Sequence, residues 1–330
     1  MPIQGAYGSE GEACAARRGP RVSYGGIMRK QAVIGVTTLA LAVGTIGFVA
    51  AKDDSGSSPA LSTQSGTAAG RPQASGDRLV AVGLTGDQRL VRFRVDRPGV
   101  VLPLGKVSGL NGDSRLVGID YRVQNNTLYG VGDKGGIYTI REIGAKATKV
   151  SQLSVGLQGT SFGVDFNPAA NRLRVISDTG QNLRHNIDDP AGAPAAGTTA
   201  ADGTLTNPPV PPATTGATAT GVTGAAYTNN DLDATTATTL FDLDTTQDQV
   251  SVQSPANAGN LAPTGKTGVD VPRDSGFDIY SSANSGTNTG YAVSGSRVFR
   301  VNLLTGRATS VGAFPQGRQV VDLAIPLRQG

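Results

Sequence analysis

Five short segments of this sequence repeat one pattern: Leu116-Val-Gly-Ile-Asp-Tyr-Arg122, Ser161-Phe-Gly-Val-Asp-Phe-Asn167, Val222-Thr-Gly-Ala-Ala-Tyr-Thr228, Asp274-Ser-Gly-Phe-Asp-Ile-Tyr280 and Arg318-Gln-Val-Val-Asp-Leu-Ala324. They recur at intervals of about 44 to 61 residues, the spacing of four-stranded blades with loop insertions. Each opens a unit. Second strands follow at Thr127–Val131, Arg172–Ile176 and Gly290–Val293, third strands at Gly136–Ile140, Thr239–Leu243 and Arg297–Val301, and fourth strands at Thr148–Gln152 and Ala308–Val311. The ends complement one another. Arg78–Ser108 supplies three strands without an opening one, and Val320–Ile325 supplies an opening strand with nothing after it. Pairing these halves closes a ring and removes the exposed sheet edges that invite aggregation. The expectation is an all-β chain, a single β-propeller of five four-stranded blades closed by pairing the C-terminal strand with the N-terminal blade.

Charge and sulfur content narrow what such a ring can do. The formal charge of +4 comes largely from Arg17, Arg18, Arg21, Arg29 and Lys30, set against Glu10 and Glu12 in the same N-terminal region. The remainder is close to neutral, so no nucleic-acid partner is expected. The only cysteine is Cys14 and the only histidine is His185. Zinc sites, and most copper or non-haem iron sites, need more Cys or His than that.

Met28-Arg29-Lys30 followed by an uncharged run to Ala51 has the layout of a secretory signal, with cleavage expected near Ala51 and Met28 a plausible true start. An uncleaved leader would be the sole membrane attachment. Residues 1–51 are thus read as extension and signal peptide, and 52–76 as a Ser-, Gly- and Ala-rich linker with too few apolar residues to fold. The propeller is expected over 77–327, interrupted in its third blade by a Pro-, Ala- and Thr-rich insertion at 188–221 without regular structure.

Gly163-Val-Asp-Phe-Asn-Pro168, continuing through Asn171-Arg-Leu-Arg-Val-Ile-Ser-Asp-Thr-Gly-Gln-Asn-Leu-Arg184, resembles the signature of the bacterial family called domain of unknown function 4394, over about Leu79 to Leu327. The resemblance implies an exported protein with a propeller-like β fold and no assigned activity. Ala226 departs from the pattern where the other segments carry Asp.

Asp120, Asp165, Asp278 and Asp322 occupy equivalent innermost positions, where fivefold pseudo-symmetry brings them toward the central channel. Hard oxygen ligands of this kind suit Ca²⁺ or Mg²⁺. The same repetition equally suits carboxylates that accept hydrogen bonds from backbone N–H groups of their own or the next blade. A second polar set, Asn171, Arg172, Arg174, Asp178, Gln181, Asn182 and Arg184, reads either as an Arg–Asp network fixing a blade or as a site for an anionic ligand.

Three motif matches fail on context. Gly130-Val-Gly-Asp-Lys-Gly135 fits the dinucleotide fingerprint, but a strand follows it where a helix is required. Gly159-Thr-Ser-Phe-Gly163 fits the nucleophile elbow, with His185 the only available base for Ser161 and a surface position expected for it. Asp242–Asp248 lacks the Gly and Glu of a calcium loop. The mature region has no Trp and a single Glu, Glu142, which argues against a glycosidase. The expected role is therefore an exported, non-catalytic binding or scaffold module for a protein or small-molecule ligand, acting as a monomer at the cell surface or outside the cell, with Ca as the one cofactor the residues offer. The alternative is a Ca-dependent propeller hydrolase of lactonase or phosphatase type built on the inner Asp residues.

Overall fold

A computed structural model describes residues 78–233 and 235–329. The leader, the linker and the Met28 start lie outside the described residues. Twenty strands form five antiparallel sheets of four. Blade one contains β1 (Val80–Thr85), β2 (Arg89–Arg94), β3 (Arg97–Lys106) and, as its innermost strand, β20 (Val320–Ala324). Blade two follows with β4 (Leu116–Arg122), β5 (Thr127–Gly132), β6 (Gly136–Arg141) and β7 (Lys146–Gln152). Blade three has β8 (Phe162–Asn167), β9 (Arg172–Ser177), β10 (Asn182–His185) and β11 (Thr199–Ala201). Blade four has β12 (Val222–Tyr227), β13 (Leu240–Asp244), β14 (Gln249–Gln253) and β15 (Leu261–Lys266). Blade five has β16 (Ser275–Ser281), β17 (Asn288–Ser294), β18 (Arg297–Val301) and β19 (Ala308–Ala313).

The ring closes as the two chain ends require. β20 pairs antiparallel with β1, Ala324 opposite Val82 and Asp322 opposite Leu84. The side chain of Gln329 extends this pairing by accepting from the Val80 N–H and donating to the Val80 carbonyl, both at 2.8 Å. No helix among the described residues is long and apolar enough to cross a membrane.

Because a strand turns alternate side chains to opposite faces, each blade offers an apolar surface to both neighbours, and five clusters fill the five interfaces. Leu84 and Leu90 meet Ile119 and Leu128 between blades one and two, and Val91 and Phe93 meet Val293 and Leu323 where the ring closes. The repeated inner glycine sets the spacing. A Cβ at Gly163 would lie 2.6 Å from the Ala225 nitrogen, and one at Gly276 would lie 2.4 Å from the Asp322 Cα. Adjacent inner strands touch through backbone there, so a side chain would force the blades apart.

Two local expectations are corrected. Leu240–Asp244 is the second strand of blade four, paired with β12, rather than its third. The 188–221 segment is not without regular structure: it supplies β11, the outermost strand of blade three, and buries Leu205 and Ala219 completely.

Candidate functional site

The four inner aspartates sit on β4, β8, β16 and β20, each at most 7% exposed. Burial at that depth demands hydrogen-bond partners, and backbone N–H groups of the next blade provide them. Asp120 Oδ2 accepts from the Phe166 N–H at 2.8 Å, Asp165 Oδ1 from Tyr227 at 3.2 Å, Asp278 Oδ2 from Ile325 at 2.6 Å and Asp322 Oδ2 from Ile119 at 2.7 Å. Asp278 and Asp322 also accept from the residue following each, Ile279 at 2.5 Å and Leu323 at 2.9 Å. Four of the five blade junctions are therefore bridged by an inner carboxylate. The junction between blades four and five has Ala226 in that place.

The same side chains converge. Asp120, Asp165 and Asp278 each offer an oxygen within 4.8 Å of the others, while Asp322 stands outside this group of three. Burial pushes all four carboxyls up, and the charge of Asp278 adds to the effect at Asp120, Asp165 and Asp322. Asp278 itself is raised to about 7 by burial, against the pull of its two N–H donors. Three crowded carboxylates bearing oxygen donors alone can coordinate a divalent cation, and Ca²⁺ fits their chemistry. Such an ion would neutralise the repulsion that otherwise favours their protonated forms.

The second polar set is drawn into one network around blade three. Arg174, 2% exposed, donates to Asp202 and Asn182 at 2.7 Å each, to Asn257 at 2.7 Å and to the Tyr227 hydroxyl at 3.3 Å. Arg184 shares Asp202 at 3.0 Å, and Asn182 donates to the Gly203 and Ala256 carbonyls. Arg172 holds Asp189 at 3.0 Å. Asn171 accepts from Arg122, which itself pairs with Asp188. Asp178 faces elsewhere: it accepts from the backbone and hydroxyl of Thr160 at 2.9 and 2.7 Å and from Arg273 at 3.1 Å, and its carboxyl is held below the usual range by these donors against burial. Gln181 donates to the Gly156 carbonyl at 2.8 Å. The partners Asp188, Asp189 and Asp202 are the only charged residues of the 188–221 segment, which was the available signal that it packs back on the blade.

His185 is not on the surface. It is fully buried, with Nε2 2.8 Å from the Ser151 hydroxyl and Nδ1 2.9 Å from that of Thr199, and neither contact involves Ser161. Burial lowers its pKa to about 4. An unfolded chain protonates this group near 6.5, so between those values the unfolded state binds more protons and stability is lost as the pH is lowered. The loss reaches about 3 kcal/mol at about 1.36 kcal/mol per pH unit. The raised inner carboxyls act in the opposite sense, so His185→Gln isolates the effect. Urea unfolding should show the variant gaining on the native protein as pH drops from 7 to 4, and a pH-independent gap between the two would refute the assignment.

The Gly130–Gly135 stretch forms the hairpin between β5 and β6, and Asp242–Asp248 forms the one between β13 and β14. Fold and site together define a closed five-bladed β-propeller with a buried acidic ring at its axis. The chain belongs to the family described as Domain of unknown function (DUF4394), whose model matches residues 89–324. No curated protein matches the sequence. Among solved structures, a chain of a nidogen/laminin complex is similar over 76% of this chain and 99% of its own length, at 11% identity and a TM-score of 0.42. An auxiliary nutrient binding protein from Bacteroides thetaiotaomicron VPI-5482 is similar over 71% of this chain and 57% of its own length, at 10% identity and a TM-score of 0.40. A protein of unknown function from the same organism gives 74% and 66% coverage, 13% identity and a TM-score of 0.41.

Proposed function

We propose that this protein is an exported, non-catalytic binding module, a rigid ring that presents loops to a ligand at the cell surface or outside the cell. The observation that carries this reading is where the reactive side chains go. The four inner carboxylates bond to backbone N–H groups across blade junctions, and the single imidazole is enclosed between two hydroxyls. These five groups, which could otherwise serve as acids or bases, are thus engaged in holding blades together. The apolar leader at Gln31–Ala51 supports export.

A second reading, a Ca-dependent hydrolase, is favoured by the convergence of Asp120, Asp165 and Asp278. One experiment separates the two. The protein is melted with Ca²⁺ or EDTA at pH 8 and pH 5.5, then incubated with p-nitrophenyl phosphate and a γ-lactone. A structural cation raises Tm, and does so more at pH 8, because the raised carboxyls must release protons to bind it. No turnover above buffer is expected. Turnover that Asp165→Asn abolishes would overturn the module reading, and indifference of Tm to both Ca²⁺ and EDTA would remove the cation.

A further inference from the structure

The departures from the fivefold repeat converge on one place. The loop between the first and second strands has four residues in blade two (123–126) and four in blade three (168–171), but six in blade five (282–287) and twelve in blade four (228–239). Blades four and five also meet at the junction that Ala226 leaves without an inner carboxylate. The blade-four loop bridges it instead to the last residue of β16: the Asn229 N–H donates to Ser281 Oγ at 2.7 Å, and Asn230 Nδ2 donates to the Ser281 carbonyl at 3.1 Å. Beside this bridge, closed on its third side by Arg328 and Gln329, lies a cavity of about 540 Å³. That volume suits a small molecule of several rings.

We propose that this cavity binds a neutral saccharide, a reading that rests on the binding-module function above and names its ligand class. Five carboxamides and four Ser or Thr hydroxyls line it, with Asp231 and Arg328 as the only charged side chains. The balanced charge gives little purchase to a phosphate or a metal ion. A mixed array of donors and acceptors suits sugar hydroxyls, each of which both donates and accepts. Asn284 and Arg328 are exposed, so their side chains are open to a ligand that displaces water. Two wall residues also hold positive φ, Asn229 at 81° and Arg328 at 59°. That conformation is uncommon for an arginine, whereas an asparagine adopts it readily. Repeated features of a propeller serve packing, so an asymmetric, lengthened loop pair is where selection for a ligand would act.

The full chain is titrated with maltotriose, cellotriose and chitotriose by calorimetry and saturation-transfer NMR, with inorganic phosphate and citrate as charged controls. At least one trisaccharide should bind with Kd below about 1 mM. Ala283 lines the cavity and is exposed, so Ala283→Trp fills the space without removing a side-chain hydrogen bond. It should weaken binding by at least about tenfold at unchanged Tm, a loss of about 1.4 kcal/mol, and Asn284→Ala should weaken it in the same direction. Binding of none of the three sugars, binding that survives Ala283→Trp, or preference for phosphate or citrate would overturn the proposal. Shortened sugar products that disappear in Ala283→Trp would uphold the cavity as the sugar site while overturning the non-catalytic reading, so the two failures are distinguishable.

Discussion

Deleting residues 320–330 is expected to abolish cooperative folding of the ring. The deletion removes Val320, Leu323 and Ile325, each at most 3% exposed, from the interfaces that close it. Burying such a side chain contributes about 1.5–3 kcal/mol, so their loss removes roughly 5–9 kcal/mol. A domain has about 5–15 kcal/mol in all. Asp322 goes with them, leaving the Ile119 N–H without its acceptor, and Asp278 loses the Ile325 N–H. The edge of β1 would then be bare and prone to pair with other chains. Near-UV circular dichroism and gel filtration should report a loosened, self-associating species. A permuted chain that places residues 318–329 before residue 78 provides the control: Ala324 already lies opposite Val82, so the join is a hairpin, and native-like melting should return. A truncated protein that melts cooperatively as a monomer would refute closure as the source of stability.

This closure was legible in the sequence because a missing strand at one end and a surplus strand at the other have one economical solution in a repeat. The inner aspartates were legible for the same reason. Repetition alone, though, could not choose between backbone acceptor and cation ligand, and the structure gives Asp120, Asp165 and Asp278 both geometries at once. What escaped the sequence has physical causes. His185 lies between Arg184 and Asn186, which suggested a surface strand, yet a propeller blade packs on both faces, so polar neighbours do not signal exposure. The strand order of blade four was obscured by the twelve residues between Tyr227 and Leu240, a gap wide enough to suggest a missing strand. The low-complexity composition of 188–221 hid two core residues, Leu205 and Ala219, because two apolar contacts in a long polar segment leave no periodicity to detect.

The polar set around blade three admits a decisive substitution. Arg174→Leu should destabilise the protein by about 3–5 kcal/mol, the cost of breaking a buried ion pair by removing one partner. Its guanidinium is the donor for Asp202, Asn182 and Asn257 together, and its charge also lowers the carboxyl of Asp242, which burial otherwise pushes well up. Asp242 is fully buried and its two oxygens have no hydrogen-bond partner among the described residues, so burial outweighs that pull and favours its neutral form. Arg174→Lys keeps the charge but loses the planar fork, and should recover only part of the loss. The coupling is measured with Asp202→Asn: if the pair acts as a unit, the double variant costs less than the sum of the singles. Urea midpoints of the four proteins, with and without inorganic phosphate, separate the two roles open to these arginines. A network that fixes the blade gives the large loss and no response to phosphate. A loss below about 1 kcal/mol, the scale of exposed ion pairs, together with stabilisation by phosphate would instead make Arg172, Arg174 and Arg184 an anion site and move the functional surface of the ring to blade three.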